Sequence, residues 1–185
     1  GHRLTNMPSI TVDDSGEPCF VVPVSGRTGW ECEFYFVKRE GGEWTWQPIA
    51  ETNHTWSGSH LTLRDERTLT AYLVVGDADG EPLSYGGGEV QEWVAMDGKS
   101  SWRLNRRLVP EPGLLYNNPR PVGLAKGGEL GSSLVFYGWE GPDSIDPPGS
   151  AYGWAGPETI RPGDRPVRPS HNRGPGSYTP LTLPT

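Results

Sequence analysis

Along this chain apolar residues recur at alternate positions in short runs, and residues that favour tight turns separate the runs. Ser9-Ile10-Thr11-Val12 is followed by Asp13-Asp14-Ser15-Gly16 and then by the mostly apolar Pro18-Cys19-Phe20-Val21-Val22-Pro23-Val24. A period of two bounded by Gly, Asp and Ser predicts strands joined by a turn. After a loop from Ser25 to Trp30 the pattern resumes with Cys32-Glu33-Phe34-Tyr35-Phe36-Val37, a Gly41-Gly42 turn, and Glu43-Trp44-Thr45-Trp46-Gln47-Pro48-Ile49. Four strands in succession are predicted.

The same fourfold pattern then returns. Its strands are Ser59–Leu63, Leu69–Val75, Glu89–Val94 and Ser101–Leu108, and a third pass begins with Arg120–Leu124 and Ser133–Trp139. First strands are offset by 59 − 9 = 50 residues and third strands by 89 − 32 = 57, the drift falling in the longer Asp77 to Gly88 loop. A four-stranded repeat of this size predicts a propeller blade. An antiparallel sandwich shares the short strands and frequent turns, but it does not require a third strand and a Trp-bearing fourth strand to recur in the same order. The expected fold class is therefore all-β: a partial β-propeller of about two four-stranded blades plus part of a third, over residues 1–140. Residues 141–185 read as a Gly/Pro-rich irregular tail.

Composition supports an all-β chain, because 26 Gly and 19 Pro among 185 residues make about one position in four unfavourable inside a helix. The 16 Lys and Arg against 23 Asp and Glu give a net charge of −7, which removes the broad basic footprint of a nucleic-acid binder. No apolar run approaches the roughly 20 residues that cross a bilayer, so neither nucleic acid nor membrane is an expected partner. The first residues, Gly1-His2-Arg3-Leu4, do not resemble a signal peptide and lack an initiator Met, as expected of a piece of a longer chain. No cofactor is expected. Asp77-Ala78-Asp79-Gly80 lacks the later ligands of a calcium loop and reads as a hairpin turn.

Between the third and fourth strands of the second unit, Ala95-Met96-Asp97-Gly98-Lys99-Ser100-Ser101-Trp102 resembles the Asp-box hairpin of bacterial neuraminidase repeats. Ala95 replaces the usual hydroxyl residue and the Gly is shifted to Gly98. Three further segments carry the likeness: Thr52-Asn53-His54-Thr55-Trp56-Ser57-Gly58-Ser59, Gly86-Gly87-Gly88-Glu89-Val90-Gln91-Glu92-Trp93, and Asn117-Asn118-Pro119-Arg120-Pro121-Val122 with Phe136-Tyr137-Gly138-Trp139. Over about residues 9–140 the chain thus resembles the neuraminidase-repeat β-propellers, a family that includes ulvan-type polysaccharide lyases. The resemblance implies a parent of roughly seven blades, a hairpin Trp packed between blades, and a carbohydrate-active protein outside the cytoplasm, extracellular or periplasmic. The implied partner is an acidic polysaccharide or oligosaccharide, bound or cleaved, and the segment taken alone is expected to be inactive. A non-catalytic glycan-binding or scaffold propeller is the alternative. Where relatives carry His and Arg-Arg around Tyr116 to Val122, this chain has only Arg120.

A lyase needs a base for the proton α to a uronate carboxylate and a cation to neutralise that carboxylate. His54, Tyr116 and Arg120 form such a set, with Arg120 stiffened between Pro119 and Pro121. Trp30, Trp56 and Trp139, at loops or strand ends, are the candidates for stacking on sugar rings. Trp44, Trp46, Trp93 and Trp102 fall within strand patterns and read as core, and His60, alternating with Leu61 and Leu63, reads as outward-facing. Neuraminidase chemistry proper would need a cluster of arginines. Arg27, Arg120, Arg161, Arg165 and Arg168 supply candidates, but no ordering selects three of them.

Two further expectations concern the cysteines and the C-terminus. A hairpin centred near Thr28 sets Cys19 opposite Val37, about five residues out of register with Cys32, or on the order of 16 Å, too far for a disulfide. Ser177-Tyr178-Thr179-Pro180-Leu181-Thr182-Leu183-Pro184-Thr185 resembles an in-frame translation of a transposon-type sequencing adaptor. On that reading the natural sequence ends near Arg173 or Gly174.

Overall fold

Alternation of apolar and polar residues becomes three antiparallel sheets that stack face to face. The computed structural model describes residues 3–4, 9–26, 32–53, 58–63, 68–76, 87–96, 101–110, 112, 114–121, 134–140 and 150–154. The first sheet holds β1 (Arg3–Leu4), β2 (Ser9–Val12), β3 (Pro18–Ser25), β4 (Cys32–Glu40) and β5 (Glu43–Thr52), in the order β1-β3-β4-β5. Arg3 lies opposite Ser25 and Ser9 opposite Val21, so β1 and β2 share one edge of β3 and act as a single interrupted first strand. The second sheet runs β6 (Ser59–Leu63), β7 (Leu69–Val75), β8 (Glu89–Ala95) and β9 (Trp102–Leu108). The third runs β10 (Leu114–Pro121), β11 (Leu134–Glu140) and β12 (Ser150–Trp154), the last in the stretch the sequence marks as irregular. Each sheet is a meander.

Turn chemistry fixes the local hairpins. Gly41 and Gly42, with φ of 59° and 91°, close the β4–β5 hairpin where Glu40 faces Glu43; two successive positive φ values match the strand twist and suit glycine. Before β3 the Asp13 carboxylate accepts from the Ser15 amide (3.0 Å), the Ser15 hydroxyl (2.7 Å) and the Glu17 amide (2.9 Å). That side chain substitutes for backbone partners in the turn. In both complete sheets the fourth strand carries one extra residue: Ile49 opposite the Phe34/Tyr35 step, and Asn105 opposite the Glu92/Trp93 step.

Side-chain alternation gives each sheet two faces, and successive sheets use them in a constant sense. Cys19, Val21, Phe34 and Phe36 of the first sheet pack on Leu61, Leu69, Ala71, Leu73 and Ala95 of the second. The opposite face of the second sheet, Tyr72, Val74 and Val90, packs on Leu134 and Phe136 of the third. Strand β7 therefore contributes odd-numbered residues to one core and even-numbered residues to the other. Phe34, Leu61, Leu69, Leu73 and Leu134 are among the fully buried side chains, each worth about 1.5–3 kcal/mol of transfer free energy. Trp102 meets Phe36 edge-on across the first interface, ring centroids 5.2 Å apart. Trp93 joins it against that core.

Trp44 and Trp46 depart from the core reading. They project from β5 on the face of the first sheet turned away from the second, 48% and 51% exposed. The cysteines follow the predicted hairpin with a shift of one residue: Cys19 faces Lys38 and Cys32 faces Ser25, and both thiols are free and buried. Outermost strand β9 presents Arg103, Asn105 and Arg107, charged and polar groups that discourage edge-to-edge pairing.

Candidate functional site

The first strands of the three sheets come together. Strand β2 lies against β6 and β6 against β10, the arrangement in which first strands surround the axis of a propeller. Local geometry holds them there. Gly58 enters β6 so close to β10 that a Cβ would stand 2.7 Å from Asn117 Oδ1 and 2.9 Å from the Asn118 nitrogen. Only glycine fits that approach. Its amide donates to Asn117 Oδ1 at 3.2 Å, and its carbonyl accepts from the Val74 amide at 2.9 Å.

On β10 the Asn117-Asn118-Pro119 segment is absorbed by a bulge. The register jumps between Asn117 and Arg120, Asn118 adopts φ of 53°, and its amide donates to the Asn117 side chain at 2.7 Å. Asparagine tolerates that left-handed conformation better than most residues. The bulge re-aims Arg120 toward β6: Nη1 donates to the carbonyl oxygens of Ser59 (3.2 Å) and Pro119 (3.0 Å), and Nη2 lies 3.5 Å from Asn118 Oδ1. Among the described residues no carboxylate forms an ion pair with Arg120. The residue itself is exposed.

Beside Arg120 stands His60, half-buried rather than outward-facing. Its Nδ1 lies 3.1 Å from Ser9 Oγ on β2, the donor being set by the imidazole tautomer. Burial first, and the charge of Arg120 second, lower the imidazole from 6.5 to about 4. The ring is neutral at pH 7. Ser9, His60 and Arg120 thus come from three different sheets and form a row along the first strands: a hydroxyl, a neutral imidazole and an exposed guanidinium with no ion pair among the described residues. Such a row offers a carboxylate a cation and two neutral hydrogen-bonding groups.

Of the residues the sequence nominates, Arg120 is in this row. Tyr116 lies earlier on the same strand: its backbone exchanges hydrogen bonds with Gly88 at 3.1 and 2.9 Å, and its ring packs on Phe136 at 4.6 Å. Packing at the second core is its visible role. His54, Trp30 and Trp56 lie outside the described residues, as do Asp97, Gly98 and the Asp77 to Gly80 turn; Trp139 occupies the β11 position opposite Leu115. Ser9 and His60 are the residues that sequence reasoning missed. Their signal was present in the repeat, since the 50-residue offset aligns His60 with Ile10, a histidine where the preceding unit has an apolar residue.

A separate polar cluster braces the second sheet. Glu92, 3% exposed, is paired with Arg106 and accepts from Asn105 Nδ2 at 2.6 Å. Glu89 accepts from Arg107 Nε at 2.8 Å and from Gln91 Nε2 at 2.5 Å. Its charges are internally matched, so it reads as structural. No group of three His, Cys, Asp or Glu among the described residues is arranged to hold a metal.

Fold and site together define an all-β, partial β-propeller whose first strands bring a cationic and polar row to one place. No family model, curated protein or solved structure matches the chain.

Proposed function

We propose that the chain belongs to a carbohydrate-active propeller that binds or acts on acidic polysaccharide outside the cytoplasm. The observation that carries this reading is Arg120: an exposed guanidinium without an ion-pair partner among the described residues, backed by a neutral imidazole and a hydroxyl from two other sheets. A uronate carboxylate supplies the missing charge, and its ring hydroxyls suit Ser9 and Asn118. The likeness of the Ala95 to Trp102 hairpin to an Asp-box, with Trp102 packed between sheets, supports the neuraminidase-repeat kinship. A polysaccharide lyase or glycoside hydrolase with His54 and Tyr116 in proton transfer is the catalytic form of this reading.

The lowered pKa of His60 favours a second form, a non-catalytic glycan-binding propeller. A base whose conjugate acid titrates near 4 is weak at neutral pH, so the Ser9-His60-Arg120 row is better suited to holding a carboxylate than to abstracting a proton.

Titration calorimetry with an oligouronate and with its carboxyl-reduced neutral analogue tests both forms. The uronate should bind and the neutral analogue should not. Losing a hydrogen bond to a charged group costs about 1.5–3 kcal/mol, so Arg120→Ala should weaken uronate binding by roughly ten- to hundredfold. Equal binding of the two sugars, or no effect of Arg120→Ala, would refute the carboxylate site. Ultraviolet-absorbing unsaturated product then separates a lyase from a binding module.

A further inference from the structure

Of the three residues in the row, only His60 can change its charge in the ordinary pH range. Strands β2, β3, β7 and β10 pack against β6. Strand β2 brings Ser9 and no ionisable side chain, and β3 brings only Cys19, which lies in the first core. Strand β7 sets Tyr72 directly across from His60, with its ring in the second core. Strand β10 brings Tyr116, also packed on the second core, and Arg120. Arg120 is thus the only charged group on these four strands, and no carboxylate on them balances it.

The hydrogen bonds around His60 suit a charged ring. Ser9 Oγ lies 3.1 Å from His60 Nδ1 and 3.5 Å from the Leu61 carbonyl oxygen. With a bare Nδ1 the hydroxyl has one proton for two acceptors. In an imidazolium both ring nitrogens donate, so Nδ1–H donates to Ser9 Oγ, the hydroxyl proton goes to Leu61, and each group has a partner. What opposes the charged ring is burial and, second, the charge of Arg120. That guanidinium is fixed through Nη1, which donates to the carbonyl oxygens of Ser59 and Pro119. Among the described residues its Nε–Nη2 edge meets only Asn118 Oδ1, at 3.5 Å. This is the edge left for the two oxygens of a carboxylate.

We propose that the row, read as the carboxylate site above, binds its anion together with a proton: a carboxylate seated on Arg120 turns His60 into an imidazolium, and acidic sugars are held more tightly as the medium turns acid. The carboxylate offsets the guanidinium charge, so Arg120 no longer repels a second cation. The proton comes from solvent and adds to whichever ring nitrogen is bare in the free protein; no covalent bond of the sugar changes. The free ring titrates at about 4 and the ring in the complex above that value. Affinity therefore rises as pH falls through the titration of the complex, and levels off below about 4, where the free ring is already charged. A neutral sugar leaves the repulsion in place and takes up no proton.

Titration calorimetry with tetragalacturonate at pH 7.5 and 5.5, joined to an NMR pH titration of the His60 ring protons in free and saturated protein, tests the coupling. The His60 resonances are assigned by their absence from His60→Gln. They should titrate at higher pH in the complex, and binding should be at least about twofold tighter at pH 5.5, where a sugar carboxylate is still ionised. His60→Gln should abolish the pH dependence, whatever its affinity at pH 7.5. Ser9→Ala should shrink the NMR shift, because the ring loses the acceptor of Nδ1–H. Binding that is equal or weaker at pH 5.5, with the His60 titration unmoved, overturns the proton coupling and leaves the carboxylate site standing. No binding of tetragalacturonate at either pH removes both. A pH dependence that survives in His60→Gln assigns the proton to another group and also overturns the proposal.

Discussion

Gly88 joins the second and third sheets, and replacing it with alanine should be among the costliest small substitutions in the molecule. Its φ is +153°, and a Cβ there would stand 2.2 Å from the Val75 carbonyl oxygen. Real Cβ contacts essentially never fall under 3.0 Å, so the two backbones must separate by at least 3.0 − 2.2 = 0.8 Å. Neither atom belongs to a flexible side chain, so β7 and β8 themselves have to part. That movement pulls on the reciprocal hydrogen bonds between Gly88 and Tyr116. Each bond is worth about 1 kcal/mol net, and a non-glycine residue in this backbone region adds about 1–3 kcal/mol. The expected loss is therefore roughly 3–5 kcal/mol, a large share of the stability of a small β domain. Urea unfolding followed by tryptophan fluorescence measures it. Gly16→Ala is the matched control, because Gly16 also has positive φ (+82°) but open space around its Cβ position, leaving only the conformational cost of about 1 kcal/mol. Equal destabilisation by the two substitutions would refute the close-approach reasoning.

Other consequences follow from the cores and the titrating groups. Phe36→Ala removes the ring that receives Trp102 at the first interface and should cost about 3–5 kcal/mol by urea unfolding, with a loss of near-ultraviolet dichroism from Trp102. His60 titrates near 4 when folded and near 6.5 when unfolded, so the unfolded chain binds the extra proton between those values. Stability should fall as pH drops from 6.5 toward 4 and be insensitive to this group above 6.5; the stability difference between wild type and His60→Gln should change with pH only within that window. Burial, reinforced by the nearby Asp13 charge, pushes the Cys19 thiol up to about 12. Iodoacetamide at pH 8 should label neither Cys19 nor Cys32 in the native protein and both after unfolding, as mass spectrometry would read.

Much of the architecture was legible because strand period and turn chemistry are local signals. Ser9 to Val12, Leu69 to Val75 and the Gly41-Gly42 hairpin fall where alternation and glycine put them. The cysteine register was legible to within one residue. The start of the third sheet was not: the strand was expected from Arg120, whereas the bulge at Asn117-Asn118-Pro119 lets β10 begin at Leu114. A turn-like tripeptide inside a strand is compatible with pairing when one residue takes positive φ and the ladder skips it. Trp44 and Trp46 failed for a different reason. Alternation tells which residues share a face, but whether that face is covered depends on the next sheet in the stack. His60 shares this limit, because its partners Ser9 and Arg120 lie about 50 and 60 residues away in sequence. The flanking prolines of Arg120 suggested a guanidinium held at a defined angle, but nothing local in sequence pointed to its backbone anchor on Ser59.

Strand β7 feeds two cores with alternate side chains, and this gives the molecule a defined order of opening. Separating the first and second sheets exposes Leu69, Ala71 and Leu73 but leaves Tyr72 and Val74 covered; peeling away the third sheet does the reverse. Neither partial opening frees the β7 amides, which stay paired to β6 and β8. They should be the slowest in the chain to exchange with deuterium, at the free energy of global unfolding, while β5 and β12 exchange through smaller fluctuations. A slip of one residue along β7 would also send every side chain into the opposite core, trading Leu73 for Val74 and Ala71 for Tyr72. Because the exchanged side chains differ in size and shape, such a slipped state fits neither core. The central strand thereby locks the register of both its neighbours during folding.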